Sequence, residues 1–195
     1  DELVFDGGSF VLNSDCELAM QMPTFQDGLV VSEWRRLDDR WVCGEGPRVA
    51  PHEGLGAIYR TMTLGLRDYV NKNRFPGVVL GLSGGIDSAL SAAVAVDALG
   101  SGRVWCVMLP SKFSSDHSLK DARDCAEILQ CRMDKVPIEP AVSAFDQMLE
   151  HLFEGREPDV TEENVQSRAR GMALMAISNK FGHMVLTTGN KSEMS

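Results

Sequence analysis

Between Val78 and Gly100 the sequence reads VVLGLSGGIDSALSAAVAVDALG: an apolar strand, a glycine-rich turn and an alanine-rich helix in succession. Gly81, Gly84 and Gly85 let the backbone turn with its N–H groups inward, and Ser83 and Ser88 add hydroxyl donors, with Leu82 and Ile86 between them. The helix that follows presents the positive end of its dipole to the same spot, so Gly81 to Ser88 reads as a cradle for a multiply charged phosphate. A Walker-type loop puts a lysine on the β- and γ-phosphates, whereas Ile86, Asp87 and Ser88 stand in that place here. A carboxylate beside phosphates is repulsive unless a divalent cation lies between them, so Asp87 implies Mg2+.

A second polar pair lies downstream. Asn164 and Arg168 in TEENVQSRARG are four positions apart and share one helix face, where an amide and a guanidinium can bind the ribose, phosphate or carboxylate of a dinucleotide. Arg170 points elsewhere by the same geometry and is read as structural. The four histidines, His52, His117, His151 and His183, lack metal-ligand spacing and are read as surface, cap or packing residues. No Ser-His or Cys-His arrangement suggests a protein nucleophile. The five cysteines contain no CxxC pair, and Cys106 and Cys125 fall in apolar strand and helix patterns, so reduced thiols in a cytoplasmic protein are expected.

These groups must be held by a scaffold, and the pattern says which. From AIYRTMTLGLRDYVNKN onward, strands alternate with helices: GVVLGL, a helix from Ile86 to Leu99, RVWCVMLP, a helix with Leu119, Ala122, Ala126 and Leu129 at core spacing, and DKVPI. A helix around Phe145, Leu149 and Leu152, a helix from Glu162 to Phe181 and the strand HMVLTTGN follow. Continuously apolar strands separated by helices predict an α/β fold, a doubly wound parallel sheet covered on both faces, with ligands beyond the strand C-termini. In the first helix Ile58, Met62, Leu66 and Tyr69 or Val70 share the predicted core face. The first 46 residues differ: SFVLNSDCELAMQM predicts a hairpin, and LVVSEW with RWVCGEG predicts further short strands. GEGPRVAPHEGLG reads as a linker. The expected division is residues 1–46 as the β-rich tail of another domain, 47–57 as linker, and 58–195 as the sheet domain, cut at its C-terminal side.

A formal net charge of −9 argues against a general nucleic-acid platform, which needs clustered Lys and Arg. No apolar run of spanning length occurs, so no membrane partner is expected.

The motif SGGxDS resembles the signature of the PP-loop ATP pyrophosphatases, which cleave ATP to AMP and pyrophosphate. MLPSKFSSDHSLKDA, TEENVQSRARGMALMAISNKFG and VLTTGNKSEMS are similar to the glutamine-dependent NAD synthetases, and the N-terminal DELVFDG is similar to the tail of their nitrilase-like glutaminase domain. The resemblance implies ATP-dependent amidation of deamido-NAD through an NAD-adenylate, with ammonia from glutamine. It implies ATP on Gly81 to Ser88, adenine beside Met108 and Leu109, ribose near Ser114 and Ser115, and Thr188 on ATP. It further implies Asn164, Arg168 and Glu193 on deamido-NAD, Asp87 and Glu193 on Mg2+, and a homo-oligomer. The glutaminase Glu, Lys and Cys would precede this segment, since neither Cys16 nor Cys43 matches the nucleophile motif, so this segment alone is expected to be inactive. Two alternatives stand beside this reading: another PP-loop amidotransferase such as GMP synthetase, and a non-catalytic nucleotide-binding module.

Overall fold

The computed structural model describes residues 3–112 and 114–189. The chain divides into two compact units, Asp1–Gly65 and Leu66–Ser195. Among the described residues no helix is long and apolar enough to cross a membrane.

In the first unit β1 (Phe10–Leu12) and β2 (Leu18–Gln21) form the expected antiparallel hairpin, with Val11 opposite Met20. The second hairpin, β3 (Trp34–Leu37) with β4 (Arg40–Cys43), starts five residues later than the apolar run at Leu29 suggests. Its register is set by the two-residue turn Asp38-Asp39, where both residues have positive φ, the geometry that matches strand twist. Leu29 and Val31 are left exposed. Asn13 ties the hairpins together, its amide donating to the Cys43 carbonyl and its side-chain oxygen accepting from the Cys43 N–H. The stretch expected to be a linker is pinned: Gln21 N–H donates to Pro47, Val49 N–H donates to Gln21, and His52 bonds Thr24. α1 (Gly54–Lys72) then begins inside it. On α1 the predicted core face is half right. Leu66 and Val70 pack in the core of the second unit, whereas Ile58, Met62 and Tyr69 are exposed.

The second unit is built on a four-stranded parallel sheet. Its strands are β5 (Val78–Gly81), β6 (Val104–Met108), β7 (Arg132–Lys135) and β8 (Met184–Val185), in the order β7-β6-β5-β8. The side-chain period of two sends Val78, Leu80, Val104, Cys106 and Met108 to one face. There they meet Ala92 and Ala95 of α2 (Ile86–Leu99) and Ala122 and Ala126 of α3 (Asp116–Ile128). Val79, Trp105 and Val107 go to the other face, against Val142 of α4 (Glu139–Phe153) and Ala169 of α5 (Val160–Phe181). Small alanines on α2 and α3 let those helices lie close over the branched strand residues. Leu80 is fully buried, so Leu80→Ala would cost about 2–5 kcal/mol.

Two strand boundaries depart from the sequence reading. β7 lies two residues earlier than DKVPI, because Trp105 pairs with Arg132 and Met108 with Lys135. The guanidinium of Arg132 sits 3.5 Å from the Trp105 ring centroid, and both Arg132 and the Trp105 indole donate to Asp134. β8 is short, with Val78 opposite Met184 and Val79 opposite Val185. After β7 the chain recrosses the sheet and returns on the far side of β5. The strand order therefore reverses between β5 and β8, and the loop after β5 opens at that switch point, where open α/β sheets bind ligands.

Candidate functional site

The loop from Leu82 to Gly85 leaves the C-terminal end of β5, with Leu82 anchored by its N–H on Val107 O at 3.0 Å. Gly84 has φ +84°, and a Cβ there would fall 3.0 Å from the carbonyl carbon of Ser118 and nearer still to its oxygen. Only glycine allows both the turn and this approach to the first turn of α3. Ser115 caps α3, accepting from Ser118 N–H at 3.1 Å. Asp159 and Glu162 form a reciprocal capping box on α5, and the bond from Thr161 holds the Asp159 carboxyl below its ordinary range.

α2 is different. Its N-cap is Gly85, with no side-chain cap, so the first-turn N–H groups of Ile86, Asp87 and Ser88 are not taken up by a capping side chain. Those donors and the helix dipole lie where an anion would be held. Asp87 is exposed in this first turn, Ile86 is 79% exposed beside it, and Ser83 is exposed. Ser88 is buried and bonded to Ser83 and Gly85.

The other expected residues are distributed around this loop. Met108 is buried in the core, and its carbonyl accepts from Val136 N–H. Leu109 is likewise buried, and its carbonyl accepts from Arg170 Nε at 3.3 Å. Ser115 is a helix cap, and Ser114 accepts from Ser111 N–H. Arg170, read as structural, holds the end of β6 by reaching Leu109 and Ser111 from α5. Asn164 and Arg168 are both exposed on α5, while Gln166 and Ala169 between and beside them are buried, so the pair shares an outward face as its spacing predicted. Thr188 lies three residues beyond the end of β8, the strand that pairs with β5, and is half-buried. Glu193 lies outside the described residues.

Two features at the site escaped the sequence. One is the contact of Gly84 with Ser118, which has no local signal because the partners are on separate elements. The other is the Ser83–Ser88 pair, which the spacing contained but which looked like two independent donors. The histidines behave as packing or surface groups: His117 meets Asp121 on α3, and His183 packs edge-on to Trp105, its buried Nδ1 without a hydrogen-bond partner. The five cysteines are free; Cys16 is exposed, while burial in the sheet core pushes the Cys106 thiol up to about 12.

A parallel sheet with this strand reversal, carrying a glycine-rich loop and a helix without a side-chain cap at its switch point, defines an open α/β domain of the doubly wound class. The NAD synthase family model matches residues 58–195. The chain belongs to the NAD synthase family, which separates it from GMP synthetase and the other enzymes sharing SGGxDS. It is 53% identical to the glutamine-dependent NAD(+) synthetase of Rhodobacter capsulatus over 195 residues, covering 100% of this chain and 35% of that protein. The solved glutamine-dependent NAD+ synthetase of Acinetobacter baumannii, in complex with ADP, is 44% identical with a TM-score of 0.93, over 100% of this chain and 36% of that one. The NH3-dependent NAD synthetase of Campylobacter jejuni is 29% identical with a TM-score of 0.65, over 73% of this chain and 60% of that one. The chain thus spans about 35% of the length of the curated glutamine-dependent relative.

Proposed function

We propose that this chain is the ATP-binding portion of an enzyme that amidates deamido-NAD to NAD. The observation that carries the reading is the Gly81–Ser88 loop at the switch point of a sheet in a chain of the NAD synthase family. The carboxylate of deamido-NAD attacks the α-phosphorus of ATP, and the bond to pyrophosphate breaks, leaving an NAD-adenylate. Ammonia then adds to the acyl carbon, AMP leaves, and a proton is released. Ser83 and the open N–H groups of the first turn of α2 bind the phosphates and stabilise the charge that accumulates on the departing pyrophosphate. Thr188 contacts ATP, and Met108 contributes only as the wall behind the adenine. Asn164 and Arg168 bind deamido-NAD. ADP in the solved relative supports an adenine nucleotide on this loop.

Among the described residues no group of three or more His, Cys, Asp or Glu could hold a metal. One exposed carboxylate beside a phosphate cradle does fit magnesium, which takes one or two protein carboxylates and completes its shell with phosphate oxygens and water. Asp87, with Glu193, would hold the ion, which supplies charge neutralisation on the phosphates when bound. Residues 1–46 are assigned to the tail of a nitrilase-like glutaminase domain, 47–57 to the connection and 58–195 to the synthetase domain. Glutamine is the ammonia source in the whole protein, which works in the cytoplasm as a homo-oligomer.

The test is NAD formation by the intact protein from deamido-NAD and ATP, with glutamine or ammonium as nitrogen source and AMP counted alongside. Equal amounts of NAD and AMP are expected with either source. ATP binding without AMP release would favour a non-catalytic nucleotide-binding module instead.

A further inference from the structure

We infer that Arg170 is a positioning residue for the adenosine half of the nucleotide site, acting from α5 through the backbone where β6 ends. The inference rests on the proposal that this crevice holds ATP. β5 pairs with β6 only as far as Gly81 opposite Val107, and one further bond runs from Leu82 N–H to the Val107 carbonyl. On the β7 side, the carbonyls of Met108 and Pro110 accept from Val136 and Ile138 N–H at 2.8 and 3.1 Å. The Leu109 carbonyl lies between them in sequence and, by the alternation along a strand, points to the β5 side, where β5 has already become the glycine-rich loop. Leu109 is 8% exposed, so its carbonyl needs a donor from the protein. Arg170 Nε supplies it at 3.3 Å, and Nη2 of the same guanidinium reaches Ser111 Oγ at 3.4 Å.

Both contacts bear on one stretch of chain. Ser111 and Ser114 close a turn on each other, Ser111 N–H donating to Ser114 Oγ and Ser114 N–H to the Ser111 carbonyl, each at 3.0 Å. That turn leads into Ser115, the cap of α3. A Cβ on Gly81 would lie 3.6 Å from Leu174 of α5 and 3.7 Å from Leu109, so the ends of β5 and β6 meet α5 at one point. With the phosphates on the loop after β5 and the adenine against the end of β6, the adenosine lies over the segment that Arg170 fixes. Arg168, two positions earlier, is exposed on the outward face. The two arginines of α5 therefore serve different ligands. A planar fork can hold Leu109 and Ser111 together, whereas a lysine ammonium is a single point.

The test uses the intact protein with Arg170→Met, Arg170→Lys, Ser111→Ala and Arg170→Met combined with Ser111→Ala, titrated calorimetrically with ATP, AMP and inorganic pyrophosphate. Arg170→Met keeps a stem and loses every donor, and is expected to weaken ATP and AMP by roughly tenfold, the scale of one charge-assisted bond. Inorganic pyrophosphate, which needs only the loop after β5, should stay within about twofold of wild type, and its binding shows that the variant is folded. Arg170→Lys should show the same selectivity at about threefold. Ser111→Ala should cost AMP about twofold alone and nothing further beside Arg170→Met. In turnover, Arg170→Met should raise the KM for ATP and leave the KM for deamido-NAD unchanged. Equal losses of AMP and pyrophosphate would mean that Arg170 touches the phosphates or only supports the domain, and would overturn the inference. Wild-type AMP affinity in both Arg170 variants, or a Ser111 loss that adds in full, would overturn it equally. If Arg170→Met does not fold, Arg170→Lys decides by the same selectivity. Failure of the wild-type protein to bind ATP would remove the nucleotide reading beneath it, an outcome readable without any variant.

Discussion

Gly84→Ala should damage the second unit far more than Gly85→Ala, although the two glycines are neighbours in one motif. Gly84 has φ +84°, a region where an L side chain costs roughly 1–2 kcal/mol. Its Cβ would also press on the backbone carbonyl of Ser118, which cannot rotate away as a side chain could, and overpacking of this kind costs about 1–3 kcal/mol. Together these give a loss of roughly 2–4 kcal/mol, partly relieved if the first turn of α3 shifts. Gly85 has φ −83°, and its Cβ would meet only Ser83 Oγ at 3.4 Å, so alanine there costs about 1 kcal/mol or less, mainly through a poorer N-cap. Urea unfolding of the intact variants, with the midpoint and slope of each transition compared, measures the difference. If Gly84→Ala unfolds at the wild-type midpoint, or Gly85→Ala is the more damaged, the packing of this loop on α3 is wrong.

Gly171 lies inside α5, and a Cβ there meets nothing within 4 Å, so Gly171→Ala should raise stability by about 0.5–1 kcal/mol, read as a higher unfolding midpoint. Asp87→Asn should lower kcat by roughly 10²–10³ with the fold retained, and near-normal AMP release at limiting magnesium would remove Asp87 from the site. Arg168→Ala should weaken deamido-NAD by about 1.5–3 kcal/mol and ATP much less; calorimetry showing equal losses would indicate damage to α5 instead. The Cys106 thiol, raised to about 12 by burial, stays protonated in the fold while the unfolded chain ionises above about pH 8.5. Stability should therefore fall as pH rises from there, by up to about 1.4 kcal/mol per unit, and Cys106→Ala should flatten that slope in urea melts at pH 8 to 10.5.

The parallel sheet and its helices were legible because their signals are local. VVLGL is too short and too continuously apolar for anything but a strand covered on both faces, and α2 was bounded at Ile86 and Leu99 by the glycines around it. β7 was misplaced because its position is decided by pairing with β6, and the apolar Val136 and Ile138 that drew the strand reading belong to the turn into α4. The exposed half of α1 shows the limit of periodicity: Ile58 and Met62 have helix spacing, but spacing does not say what covers a face. At the site, residue types gave the expectation of a phosphate loop, and the structure adds a glycine turn leading into a helix without a side-chain cap. Which serine faces outward could not be read from them, because burial of Ser88 depends on the sheet and helix behind it.

β5 sits at the middle of the sheet, yet its two neighbours enter the sequence very differently. β6 follows it after α2 and one 3-10 turn, whereas Met184 and Val185 of β8 come roughly a hundred residues later. A chain emerging from the ribosome can thus complete the loop, α2 and the β5–β6 pair while the other side of β5 still shows bare N–H and C=O groups. An unprotected apolar strand edge of that kind invites pairing with another nascent copy. The segment that seals this edge, β8, is also the one that completes the strand reversal beside β5, so the switch point of the sheet and the closing of its exposed edge come from a single late segment.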